Sequence, residues 1–211
     1  MKIKNYIYIL FPILCFSQEW EFKGYYNADT RHHPITFSND RYGFVIAGQN
    51  AQGEYLEDVF RYDTEQELWE QLSNFPGGER GYSYGVADES YAYIGFGSNN
   101  DGYPNDFWKY DIINNTWEEL ASFPYLGRNH PAMVLVNNKI FIGLGSIDGE
   151  NLGDWWEYDI EKNSWTEKTS FDYSAKAGSA IIFDEGGVHK GSKPQYTDRM
   201  VLRYLYSVKK K

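Results

Sequence analysis

Residues 58–72, 106–120 and 154–168 read "DVFRYDTEQELWEQL", "DFWKYDIINNTWEEL" and "DWWEYDIEKNSWTEK". Trp69, Trp117 and Trp165 are spaced by 48 and 48, as are Tyr62, Tyr110 and Tyr158, and Asp58, Asp106 and Asp154. Gly48, Gly97 and Gly145 recur at 49 and 48, and Arg31, Arg80 and Arg128 keep that spacing. The pair Phe75-Pro76 returns as Phe123-Pro124. Features held in register over three copies constrain the chain to a repeat array, in which each unit buries its apolar face only against its neighbours.

Each unit reads as four short strands and the chain as all-β. In the second unit "GYSYGVAD" (81–88) is strand a and "SYAYIGFG" (90–97) is strand b. "NDFWKYD" (105–111) is strand c and "TWEEL" (116–120) is strand d. Strand c alternates Phe107 and Lys109 with Trp108 and Tyr110, the period of a half-buried strand. Gly, Asn, Asp and Pro separate the runs, as turns require. No window offers a long amphipathic helix. A four-stranded unit of this length is a propeller blade.

The unit resembles a kelch repeat. That family places an Arg, often with a His, at the entrance to strand a. An apolar strand b then ends in Gly-Gly, and a Tyr-Asp pair and a Trp follow. Here the diglycine keeps its second member, in Ala47-Gly48, Phe96-Gly97 and Leu144-Gly145. The Tyr-Asp pairs are Tyr62-Asp63, Tyr110-Asp111 and Tyr158-Asp159, and the Trp are 69, 117 and 165. The resemblance covers residues 18 to 206 and implies a kelch-type β-propeller of the superfamily that includes galactose oxidase. The Tyr, Trp and Gly series are then packing and structural residues, the Gly giving room for a neighbouring strand to approach.

Repeats fall at about 32–79, 80–127 and 128–175, with a partial fourth unit at 176–207. In that unit "GSAIIFDE" (178–185) fits strand a and "DRMVLRYLYS" (198–207) fits strand c, but "GGVHKGSKPQY" is a poor strand b. Trp20 lies 49 before Trp69, so residues 18–23 fit a strand d that could complete the last blade. This makes about four blades, whereas kelch propellers usually have six or seven. The chain is a small ring, a truncated larger propeller, or part of an assembly with another chain.

Residues 1–17 form a secretory signal peptide: Lys2 and Lys4, then the apolar run "YIYILFPILCF", too short to span a bilayer. The expectation is export, to the cell exterior, periplasm or cell surface. Cys15 is the sole cysteine, and Leu14 before it argues against a lipid anchor there. The formal charge of -10 becomes -12 once Lys2 and Lys4 are removed. An acidic chain of this kind is poorly suited to nucleic acid.

The candidate ligand-binding set is Arg31, His33, Arg80, Tyr82, Arg128 and His130. All six sit at strand a entrances, where propeller loops gather near the axis, and together they could hold a carboxylate or sugar hydroxyls. The competing reading makes the arginines part of the fold, bonding loop carbonyls. His33 and His130 lack a third local ligand, so no metal is expected. The acidic b–c loops, with Asp101, Asp148 and Glu150, match turn chemistry better than a calcium loop. Copper-radical chemistry of the galactose oxidase type needs a Tyr–Cys crosslink, and Cys15 lies in the presumed leader. No cofactor is expected.

The function expected is a non-catalytic module binding protein or glycan, with Tyr55, Tyr103 and Tyr125 as loop contacts. The alternatives are a small sugar epimerase or mutarotase using Arg128 and His130 at the axis, or a fragment of a larger propeller.

Overall fold

The computed structural model describes residues 21–170. Every element in them is a β-strand. Blade 1 comprises β1 (Arg31–His32), β2 (Ile35–Ser38), β3 (Tyr42–Asn50), β4 (Tyr55–Asp63) and β5 (Leu68–Leu72). Blade 2 comprises β6 (Tyr84–Ala87), β7 (Tyr91–Gly95), β8 (Phe107–Asp111) and β9 (Thr116–Glu119). Blade 3 holds β10 (Ala132–Val136) and β11 (Lys139–Gly143), then the small hairpin of β12 (Ser146–Ile147) and β13 (Glu150–Asn151), then β14 (Trp155–Asp159) and β15 (Ser164–Lys168). Each blade is an antiparallel meander in chain order, β1 adding a third partner to β3 beside β2 and β4. The innermost strands β2, β6 and β10 stand side by side. The presumed leader at 1–17 and the fourth unit at 176–207 lie outside the described residues.

The seven-residue spacing from Tyr to Trp is the geometry of the outer hairpin. Tyr62 faces Trp69, Tyr110 faces Trp117 and Tyr158 faces Trp165 directly across the ladder. The Asp after each Tyr makes the turn. Asp63 accepts the amides of Glu65 and Gln66, Asp111 those of Ile113 and Asn114, and Asp159 that of Lys162. This is an Asx turn, in which a short carboxylate replaces a backbone acceptor.

The core lies between blades. Ile35, Ile46, Val59 and Phe75 of blade 1 meet Ile94 of blade 2, flanked by Trp108 and Trp117. Tyr93, Phe96, Phe107 and Phe123 meet Met133, Ile140, Ile142 and Tyr158 of blade 3. Burying one such Phe is worth about 1.5–3 kcal/mol. The recurring Phe-Pro supplies a plug: Phe75 packs on Trp108 and Trp117, and Phe123 on Trp156 and Trp165.

Strand a of blade 2 runs over 84–87 rather than the expected 81–88. Tyr82 adopts φ 58°, and the ladder with β7 begins beyond it, at Tyr84. Strand b of blade 2 ends at Gly95, before Phe96 and Gly97 at φ 68° and 86°, whereas β3 of blade 1 passes through the same turn at Ala47-Gly48 as a bulge. The residues that replace the first glycine of each kelch pair, Ala47, Phe96 and Leu144, all keep its left-handed backbone. The retained Gly48 has φ 103°, and a Cβ there would lie 3.1 Å from the His32 carbonyl. Its amide reaches into the next blade, donating to the Arg80 carbonyl at 2.8 Å, as the Gly97 amide does to Arg128.

Candidate functional site

Strand a begins, strand b ends and strand c begins on one face of the propeller, and the candidate residues gather there. Arg31, Arg80 and Arg128 divide the face from the core. Each guanidinium forms a two-pronged ion pair with a strand c Asp of its own blade, Asp106 and Asp154 just before β8 and β14 and Asp58 within β4. Arg80 donates to Asp106 at 2.8 and 2.7 Å, Arg128 to Asp154 at 2.5 and 2.8 Å, and Arg31 to both oxygens of Asp58. Each also reaches the carbonyl of the left-handed residue: Ala47, Phe96 or Leu144. Each stacks over an aromatic ring, Arg80 on Phe75 and Arg128 on Phe123. The arginine side chains are only 1–3% exposed. The three guanidiniums therefore hold strands b and c and the loop before strand a together, and turn no open fork toward a ligand.

Two positions after each arginine stand His33, Tyr82 and His130, which do face the axis. All three have left-handed backbones, with φ 51°, 58° and 51°. The conformation turns each residue out of its strand and links it to the next blade. The Tyr82 amide donates to the His33 carbonyl and the His130 amide to the Tyr82 carbonyl, both at 3.2 Å. The rings cluster: His33 to Tyr82 is 4.3 Å, His33 to His130 is 5.0 Å and Tyr82 to His130 is 5.2 Å between centroids. His32 joins through Nδ1, 2.7 Å from Nδ1 of His33. Tyr82 donates its hydroxyl to Gln49 Oε1 at 3.2 Å. Beside the cluster His33, Pro34, Thr36, Ser83, Tyr84 and Gly85 line a cavity of about 150 Å³. Pockets for small organic ligands are usually about 300 Å³ or more. Among the described residues no group of three or more His, Cys, Asp or Glu converges as a metal set.

The imidazoles of His33 and His130 are held below their ordinary value of 6.5. Desolvation is the first cause at both, and the charge of His130 and then His32 adds to it at His33. The unfolded chain therefore takes up these protons before the folded one does. Stability is full above about pH 6.5 and falls as the pH drops toward the depressed folded values. Urea unfolding across pH 7.5 to about 5 should show that decline. The His33→Gln, His130→Gln double variant should flatten it, and an equally steep curve in the variant would exclude the axial histidines as its source.

The loops beyond the axis are tied to each other. Tyr55 bonds Ser98 of the next blade at 3.2 Å. The Tyr103 hydroxyl donates to Asp148 at 3.1 Å and accepts the Asp148 amide at 2.8 Å. Tyr55 and Tyr103 are thus half-buried between blades. Tyr125, 65% exposed, and its neighbour Leu126, 58%, stand free. The inter-blade amides and the left-handed backbone that gathers the candidate rings His33, Tyr82 and His130 have no counterpart in the sequence analysis. Their signal was present in the shared register of positions 33, 82 and 130, but a positive φ at His or Tyr has no sequence signature.

The family model for the KLHDC2/KLHL20/DRC7 Kelch-repeats domain matches residues 15–182. The chain belongs to the kelch-repeat family. Among solved structures the kelch chain resembles YjhT, at 17% identity and a TM-score of 0.62, over 72% of this chain and 56% of that one. That likeness concerns the fold, and this chain spans little more than half the length of YjhT. A search of curated proteins finds no significant match.

Proposed function

We propose that this kelch propeller is a non-catalytic protein-binding module that uses the face carrying the axial rings and the long loops. The observation that carries the reading is the Tyr125–Leu126 knob. Both side chains are exposed, yet the backbone beneath them is fixed. Gly127 is buried, its amide donates to the Tyr103 carbonyl at 3.2 Å, and a Cβ there would run into the Pro104 carbonyl. A rigid exposed aromatic next to an aliphatic costs little entropy on binding and makes a good anchor. Asp101, Asp148 and Glu150, all exposed, lie in the loops beside it and favour a partner with a basic rim. Kelch propellers generally bind proteins, which agrees with this use. The basic start and apolar run of residues 1–17 support export, so the partner would be met outside the cytoplasm.

The test is a screen of the purified chain on protein and glycan arrays. Protein hits should weaken by about tenfold or more when Tyr125 and Leu126 are both changed to Ala, the loss of one anchor of roughly 1.4 kcal/mol or more. They should weaken further with added salt. Thermal stability of the variant should be unchanged. Glycan signals alone, insensitive to the double change, would move the function to sugar recognition at the axis, with His33, Tyr82 and His130 as contacts.

A further inference from the structure

Charge is divided between the two ends of the propeller. Every Lys and Arg among the described residues is in an ion pair with an Asp or Glu. On the loop face the cations are Arg31, Arg80 and Arg128, each engaged by a carboxylate of its own blade and almost fully buried. The more exposed Lys23, Arg41, Lys139 and Lys162 bond acids of the opposite end, where the a–b and c–d turns lie. Glu54, Glu79, Asp101, Asp148 and Glu150 stand exposed on the loop face, none of them in an ion pair among the described residues. A surface of one sign concentrates ligands of the other. A carboxylate ligand, the expectation from the arginine series, would meet no open cation here.

The centre of that face is lined by uncharged groups. The cavity of about 150 Å³ lies between the innermost strands β2 and β6, and His33, Thr36, Ser83 and Tyr84 give it its polar atoms. Ser83 donates its proton to the Phe96 carbonyl, which leaves its oxygen an acceptor. Thr36, exposed on β2, adds a second hydroxyl. His33 is faced by His32, Tyr82 and His130, and His130 by His33, Tyr82 and Tyr84. Among the described residues no carboxylate bonds either imidazole, and desolvation keeps both rings neutral at neutral pH. The cavity has about half the volume usual for a free organic ligand, which leaves room for one side chain of a partner. Acceptors scattered in this way suit a primary ammonium, with three donors on a flexible stem, better than a planar guanidinium.

We propose that the axial cavity receives a lysine side chain of the partner protein, the ammonium donating to His33 and to the hydroxyls of Thr36 and Ser83, while the acidic rim draws the segment in. The inference rests on the binding-module reading and names the group the partner presents. His33 serves as acceptor when its Nδ1–H donates to Nδ1 of His32, 2.7 Å away, because its Nε2 then carries the lone pair. The Tyr82 ring, 4.3 Å from that of His33, adds a π face to the cation's surroundings. Acid opposes this binding. Below about pH 6.5 His33 and His130 begin to take up protons and become cations facing the ammonium, whereas Asp and Glu, with ordinary values of about 4, keep their charge. Affinity therefore falls on acidification, and the fall comes from the axis and not from the rim. A carboxylate at the same rings would show the opposite sign.

The test titrates capped tetralysine into the full chain by calorimetry, beside capped tetraarginine and tetraglutamate. Tetralysine should bind best, tetraglutamate should not bind, and the affinity for tetralysine should fall about tenfold between about pH 7.5 and 5. His33→Gln with His130→Gln should remove that fall. Thr36→Lys, which sets a resident ammonium at the cavity, should abolish binding. Thr36→Val removes only the hydroxyl and should weaken binding by roughly threefold to tenfold, with an unchanged thermal transition. Tetralysine binding that equals tetraarginine binding and survives Thr36→Lys would belong to the field of the acidic rim and overturn the site. Affinity that rises in acid would overturn it too, as would an absence of tetralysine binding. In that last case, protein hits that still depend on Tyr125 and Leu126 would leave the binding module standing without the lysine site. Tetralysine binding that depends on Thr36, with no protein hit sensitive to Tyr125 and Leu126, would uphold the cavity and remove the knob.

Discussion

Changing Asp106 to Ala should lower the unfolding free energy by about 3–5 kcal/mol, the usual cost of stripping one partner from a buried ion pair. Arg80 is 1% exposed, and both its terminal nitrogens rest on that carboxylate. The indole of Trp108 also donates to Asp106, at 2.6 Å. The substitution therefore leaves a desolvated cation and an orphaned N–H together. The carbonyls of Gly77 and Phe96 hold the guanidinium in place and keep it from swinging out to water. Replacing both partners, Arg80→Met with Asp106→Leu, should recover much of the loss, because no buried charge then remains. Urea unfolding of the two singles and the double gives the coupling directly. A loss below about 1 kcal/mol for Asp106→Ala would mean that the carboxylate, 21% exposed, is screened like a surface pair. Arg80 would then return as a ligand group, and the binding assay on the same variant would show it.

The sequence displayed those residues without their relation. Arg and Asp each recur in register, 26 or 27 positions apart within a unit, and that shared register was the sign of a pair. The strands, the Tyr–Trp hairpins and the kelch class were legible because they depend on period-two alternation and on turn residues, which are local. The plug role of Phe75 and Phe123 was visible as a recurrence, and its meaning came from packing between units. Tyr26, which plugs blade 1 against Phe60 and Trp69, was harder to see, because a Tyr stands where the other blades have Phe and no Pro follows it. The axial cluster was half legible. Positions 33, 82 and 130 were marked as candidates, but the backbone that aims them depends on blade-to-blade amides that no single unit contains. Tyr55 and Tyr103 show the converse. Both sit in polar loops that suggest exposure, and both are held between blades by Ser98 and Asp148.

The interface between blades 2 and 3 should prove equally sensitive to Trp165→Ala, at about 3–5 kcal/mol for a large aromatic in a packed site. The Trp165 ring lies 4.9 Å from Tyr158, 5.0 Å from Phe123 and 5.1 Å from Phe107, so it touches both blades. Its indole donates to the Ala121 carbonyl at 2.8 Å, fastening the loop that leads into blade 3. Trp165→Phe keeps most of the ring contact and loses that bond, so it should cost less, about 1–2 kcal/mol. The form of the transition matters as much as its midpoint. In a repeat array stability is a sum of unit terms and nearest-neighbour terms, and this residue belongs to the neighbour term. Weakening one interface should therefore broaden the urea transition and lower its slope, because the blades on either side begin to unfold separately. Trp117→Ala should do the same between blades 1 and 2, where Trp117 meets Phe75 at 4.9 Å and Tyr110 at 4.4 Å. If both variants lose stability with an unchanged slope, the blades unfold as one body whichever interface is cut. The aromatic repeat would then fix the shape of each hairpin and contribute little to the coupling between blades.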